Sequence, residues 1–66
     1  MKVLLNGEPT DLAPGATVES ALARLELPHR GVAVAVDAEV VPRGEWPARE
    51  LSEGARVEVL RAIQGG

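Results

Sequence analysis

Thr17-Val18-Glu19-Ser20-Ala21-Leu22-Ala23-Arg24-Leu25-Glu26-Leu27-Pro28 is the stretch on which the fold turns. Val18, Ala21, Leu22 and Leu25 fall at i, i+3, i+4 and i+7, one apolar stripe of a helix. Thr17 precedes the stripe as a natural N-cap. Glu19 lies in the first turn, where negative charge favours the helix dipole. Proline disfavours the α conformation in the residue before it, so Leu27-Pro28 is a stop. The spacing predicts a helix over Val18–Glu26. At under three turns, it holds only if its stripe is packed.

Everything around this helix reads as strand. Upstream, Lys2-Val3-Leu4-Leu5 is an apolar run of strand length. Asn6-Gly7 follows, a pair suited to a two-residue hairpin turn whose central positions need positive φ. Glu8–Leu12 is the return strand, and Pro9 confines it to a sheet edge or a strand start. Ala13-Pro14-Gly15 then breaks the chain.

Downstream, Val32-Ala33-Val34-Ala35-Val36 alternates, placing three valines on one face and two alanines on the other. Asp37-Ala38 is a turn and Glu39-Val40-Val41 a return strand that Pro42 stops. Arg43–Pro47 is irregular, and Ala48–Leu51 is expected to form one helical turn. Arg56–Ile63 is the last strand, with Val57 and Val59 on one face. One helix between two strand pairs, followed by a final strand, predicts an α+β domain. A mixed sheet crossed by the helix would bury Val3, Leu5, Leu22, Leu25, Val34, Val57 and Val59 together. If the last strand lies parallel beside the first, the helix occupies the crossover, and the arrangement is the β-grasp, or ubiquitin-like, fold. The expected division is a domain over 1–63 and a tail over 64–66.

Composition narrows the function. Sixty-six residues make one small domain, which leaves little room for a deep catalytic cleft beside a core. The chain has no cysteine and one histidine, His29, which reads as a solvated loop residue in Pro-His-Arg-Gly. A metal site is therefore not expected. The net charge of -3 and the lack of a basic stripe argue against nucleic acid. No apolar run approaches the ~20 residues that span a bilayer, and no signal segment opens the chain. The expected location is cytoplasmic, with no membrane partner. Trp46, the only aromatic residue, is read as a core plug. Arg43 is read as a solvated or turn-stabilising side chain.

The sequence closes on Arg61-Ala62-Ile63-Gln64-Gly65-Gly66. Two final glycines occur by chance in about one chain in 200. Without Cβ atoms they can enter a slot too narrow for any side chain, and a terminal carboxylate is ionised at neutral pH. Gly66 is thus the candidate reactive residue, with Gln64 and Gly65 as its arm. Three extended residues reach ~10 Å. Leu4, Leu60 and Ala62 are expected on the sheet face opposite the helix, as an apolar docking patch beside the tail. Ile63 and Glu58 join this partner-binding set, Glu58 answering a basic partner surface.

Met-Lys-Val-Leu-Leu-Asn-Gly at the start resembles the ThiS sulfur carrier family of thiamin biosynthesis. So do the Pro-Gly-x-Thr-Val segment before the helix, Val34–Trp46 with its Val-Pro-Arg-x-x-Trp element, and Leu60–Gly66. Asp37 departs from the asparagine common in that family, and both residues suit a turn. The resemblance implies a non-enzymatic co-substrate that binds no cofactor. A ThiF-type enzyme would use ATP to adenylate the Gly66 carboxylate. Sulfur from a donor such as a cysteine desulfurase would displace AMP and leave a thiocarboxylate. Thiazole synthase, ThiG, would then take the sulfur. Three alternatives share the features: a MoaD-type carrier of molybdopterin synthase, a ubiquitin-like protein modifier, and a β-grasp interaction module with an idle tail.

Overall fold

The computed structural model describes residues 1–26 and 30–61. Five strands and one α-helix follow in the expected order: β1 (Lys2–Leu5), β2 (Glu8–Asp11), α1 (Val18–Arg24), β3 (Val32–Val36), β4 (Glu39–Val41) and β5 (Arg56–Arg61). The sheet order is β2-β1-β5-β3-β4. β1 and β5 run parallel, with Leu4 opposite Arg56 and Leu5 opposite Val57. All other neighbours are antiparallel. The last strand is therefore the middle of a mixed sheet, and the helix lies in the crossover, as the β-grasp reading requires. Pro9 sits on β2, an edge strand, where its missing N–H costs no ladder bond.

The helix begins where the sequence indicates. Thr17 is extended (φ -109°, ψ 174°), and its Oγ1 accepts from the Ser20 N–H at 3.2 Å. The Ser20 Oγ accepts in turn from the Thr17 N–H at 3.2 Å, closing a capping box with serine in the acidic residue's usual place. The helix ends sooner than expected. Leu25 is the C-cap, and Glu26 takes a left-handed φ of 56°, so Arg24 is the last helical residue. Leu25 consequently lies half-buried at the rim of the core. Leu27, Pro28 and His29 lie outside the described residues.

Val18, Ala21 and Leu22 are fully buried and share one apolar cluster with Val3, Leu5, Val34, Val36, Val57 and Val59. Each such leucine or valine contributes about 1.5–3 kcal/mol by leaving water. Trp46 is in that cluster as the expected plug, its indole N–H donating to the Val41 carbonyl at 2.9 Å. Burial of the ring is thus compatible with its one polar atom. The Arg43 guanidinium stands 5.7 Å from the ring centroid.

The segment after β4 differs from expectation. Arg43–Glu45 forms a 3-10 turn directly after Pro42, and no helical turn forms over Ala48–Leu51. Pro42 starts the turn early, with its carbonyl accepting from Glu45 N–H at 2.9 Å. The following residues are drawn alongside the helix start instead. Val18 N–H donates to Arg49 O at 3.0 Å, Leu51 N–H donates to Ala16 O at 2.9 Å, and Thr17 bridges Glu50.

Both hairpin turns have positive φ at both central positions: Asn6 (49°) and Gly7 (84°), Asp37 (50°) and Ala38 (70°). Both also hold β5. The Asp37 Oδ1 accepts from Arg56 N–H at 2.9 Å, and the Asn6 Oδ1 accepts from Val59 N–H at 2.8 Å.

Candidate functional site

β5 carries the candidate site because its two faces have different fates. Alternation sends Val57 and Val59 into the core and turns Arg56, Glu58 and Leu60 to the opposite face. Among the described residues the only helix packs on the core side, so that opposite face meets solvent. Leu60 remains 66% exposed, and its lateral neighbour on β3 is Ala33, too short to cover it. Leu4 stands on the same face, half-buried, opposite Arg56. The expected residues Leu4, Glu58 and Leu60 are thus brought to one surface. Ala62, Ile63, Gln64, Gly65 and Gly66 lie outside the described residues, directly after the end of β5.

Val40, which the sequence does not single out, also belongs on this face. It is 69% exposed, the other large apolar side chain left in water among the described residues. It sits across from Ala35, which in turn lies across from Glu58. In a three-residue strand alternation alone lets either valine face outward; the pairing of Val41 with Val34 buries Val41 and turns Val40 out. Two exposed apolar side chains on one sheet face, separated by alanines, form a surface that loses little by being covered.

A shallow depression of about 540 Å³ lies on this face, lined by Leu4, Gly7, Asp37, Arg56 and Glu58 among others. It offers no constellation for acid–base or nucleophilic chemistry. Among the described residues no polar or charged side chain is buried, and no group of acidic, histidine or cysteine side chains could hold a metal ion. Its charged groups, Asp37, Arg56 and Glu58, are exposed. Outside it, the Lys2 Nζ lies 4.0 Å from the Asp11 Oδ1 with both side chains in solvent, an ion pair that contributes about 0–1 kcal/mol. What this arrangement can do is bind, through an apolar centre and a mixed-charge rim, beside the root of the tail. No helix among the described residues is long and apolar enough to cross a membrane.

Comparison with known proteins agrees with this geometry. The ThiS family model matches residues 3–66. The chain is 30% identical over 66 residues to the sulfur carrier protein ThiS of Escherichia coli (strain K12), covering all of both chains. It is 41% identical over its whole length to part of a thiazole synthase of Magnetococcus marinus, of which it spans 20%. The crystal structure of the thiamine biosynthesis protein ThiS from Geobacter metallireducens superposes with a TM-score of 0.85 at 29% identity, covering all of both chains. The chain belongs to the ThiS family of sulfur carrier proteins, which act as carriers rather than as enzymes.

Proposed function

We propose that this chain carries sulfur as a thiocarboxylate on Gly66 and delivers it to a thiazole synthase in thiamin biosynthesis. A carboxylate does not accept sulfur directly, because oxide would have to leave. Adenylation by a ThiF-type enzyme removes that obstacle. The Gly66 carboxylate attacks the α-phosphate of ATP, pyrophosphate departs, and the acyl-adenylate then loses AMP to a sulfur nucleophile. Where that nucleophile is the persulfide of a donor such as a cysteine desulfurase, the acyl disulfide so formed is cleaved by a thiol, which leaves the thiocarboxylate on Gly66 and a disulfide on the donor side. Beyond that carboxylate the chain supplies no acid, base or metal; its contribution is position. Residues 64–66 act as the arm that enters the partner's site, and no cofactor is held by the carrier itself.

The observation that carries this reading is the placement of Leu60. It is exposed on the one sheet face the helix leaves free, on the strand that leads straight into the tail. A partner that covers Leu60, Val40, Leu4 and Glu58 has the tail at its edge, and Ala62 and Ile63, next in sequence, are the further candidates for that contact. The thiazole synthase of Magnetococcus marinus, which holds a stretch like this whole chain within one longer polypeptide, supports thiazole synthase as one such partner.

The test is to incubate the chain with ATP, a ThiF-type enzyme and a sulfur source, then weigh it. The expected product is heavier by the exchange of one oxygen for one sulfur, mapped to the last residue. Deleting Gly66, or adding one alanine after it, should abolish the gain. Thiocarboxylation of either variant at the normal rate overturns the assignment to Gly66.

A further inference from the structure

β1 is too short to hold β5 along its length. The parallel ladder runs from Leu4 N–H, which donates to Ala55 O at 2.9 Å, to Asn6 N–H, which donates to Val57 O at 2.8 Å. A parallel ladder would continue with the Asn6 main-chain carbonyl accepting from Val59 N–H. At Asn6, however, the chain turns into the Asn6-Gly7 hairpin with φ 49°, and β1 has ended. The side chain takes over: the Asn6 Oδ1 accepts from Val59 N–H at 2.8 Å. The bond is part-buried and spans 53 positions in sequence. On the opposite side β3 pairs with β5 as far as Arg61, opposite Val32. Asn6 therefore completes the grip on the β1 side two residues beyond Val57, at Val59, two residues before β5 ends at Arg61.

We propose that Asn6 is a positioning residue for the terminal carboxylate. Its side-chain oxygen substitutes for a missing length of strand, fixes the direction in which β5 leaves the sheet, and so sets where the tail enters the partner's site. The inference rests on the proposed thiocarboxylate chemistry at Gly66. Asp37 is its counterpart at the other end of the strand, where a carboxylate oxygen does the same for Arg56 N–H at 2.9 Å. An aspartate in place of Asn6 can therefore serve as acceptor, and a glycine cannot. Both tolerate the positive φ of the turn, so neither Asn6→Gly nor Asn6→Asp tests the hairpin instead of the latch.

The experiment compares wild type, Asn6→Gly and Asn6→Asp in thiocarboxylate formation with a ThiF-type enzyme, ATP and a sulfur source. Amide exchange at Val59 and Val57 is followed in parallel. Docking uses the sheet face and tail delivery uses the strand's direction, so Asn6→Gly should lower kcat about tenfold and move KM by less than about twofold. Its Val59 amide should exchange about tenfold faster, with Val57 unchanged. Asn6→Asp should restore both readouts to within about twofold of wild type. A wild-type kcat in Asn6→Gly overturns the inference, and so does an Asn6→Asp variant as slow as Asn6→Gly. A wild-type chain that gains no sulfur overturns the functional reading, and the positioning role with it. The Val59 exchange then still upholds or overturns the latch itself.

Discussion

Leu22 and Leu60 allow one chemical change to be made on opposite sides of the same domain. Leu22 is 0% exposed on the inner stripe of α1, and Leu60 is 66% exposed on the outer face of β5. Leu22→Ala removes three buried carbons, worth about 2.4 kcal/mol at about 0.8 kcal/mol each. The residual cavity adds to this, for an expected loss of about 2.5–5 kcal/mol. Alanine's better helix propensity returns only a few tenths of a kcal/mol. A chain of 66 residues has a total stability of about 3–10 kcal/mol, so the variant loses a large fraction of it. Its melting temperature should fall by roughly 10–30 °C. Leu60→Ala takes the same carbons from water and should cost less than about 0.5 kcal/mol. Trp46, buried and the only aromatic residue, reports both transitions by its fluorescence during urea unfolding. A Leu22→Ala loss below about 0.5 kcal/mol, or a Leu60→Ala loss as large as that of Leu22→Ala, refutes the assignment of the two faces.

Leu60→Asp should weaken binding to a ThiF-type enzyme or a thiazole synthase by at least about tenfold while the urea midpoint stays near wild type; unchanged affinity by calorimetry would place docking elsewhere. Ala38 holds a φ of 70° in the second hairpin turn, so Ala38→Gly should stabilise the domain by about 0.5–1 kcal/mol, and a lowered melting temperature would contradict that account of the turn. Trp46→Phe removes the indole donor to the Val41 carbonyl and should cost about 1–3 kcal/mol in thermal unfolding; a neutral result would show that the carbonyl finds another partner.

The elements that could be read from sequence are those whose signal is local. The helix stripe at Val18, Ala21 and Leu22, the Thr17 cap and the two turn dipeptides each depend on residues within one or two turns of chain, and each stands where expected. The helix stops short of the expected Glu26 because that residue adopts a left-handed φ that no glycine announces. The 3-10 turn at Arg43–Glu45 displaced the expected one at Ala48–Leu51 because Arg49 and Leu51 bond to Val18 and Ala16, contacts that exist only in the folded chain. For the site, the outward direction of Leu60 followed from alternation with Val57 and Val59. The direction of Val40 is not legible locally, because its face is set by the pairing of Val41 with Val34 across the sheet. The role of Asn6 beyond its turn was illegible for the same reason: its acceptor atom serves a donor 53 residues away.

The order of the strands also bears on how the domain comes together. The two outer pairs, β1 with β2 and β3 with β4, are local hairpins that can form early, yet a lone hairpin is marginal in water. They do not touch in the sheet order; β5 is inserted between them. The last of the five strands in sequence is thus the keystone, and its pairings with β1 and β3 close long loops before they return any stability, which slows folding relative to a chain of local contacts. Until β5 docks, the inner stripe of α1 has no continuous sheet to cover. Until then there is also no flat outer face bearing Leu4, Leu60 and Val40 together. A partner that recognises that face therefore meets only molecules in which the strand leading to the tail is already seated, so that recognition of the surface doubles as inspection of the tail's anchorage.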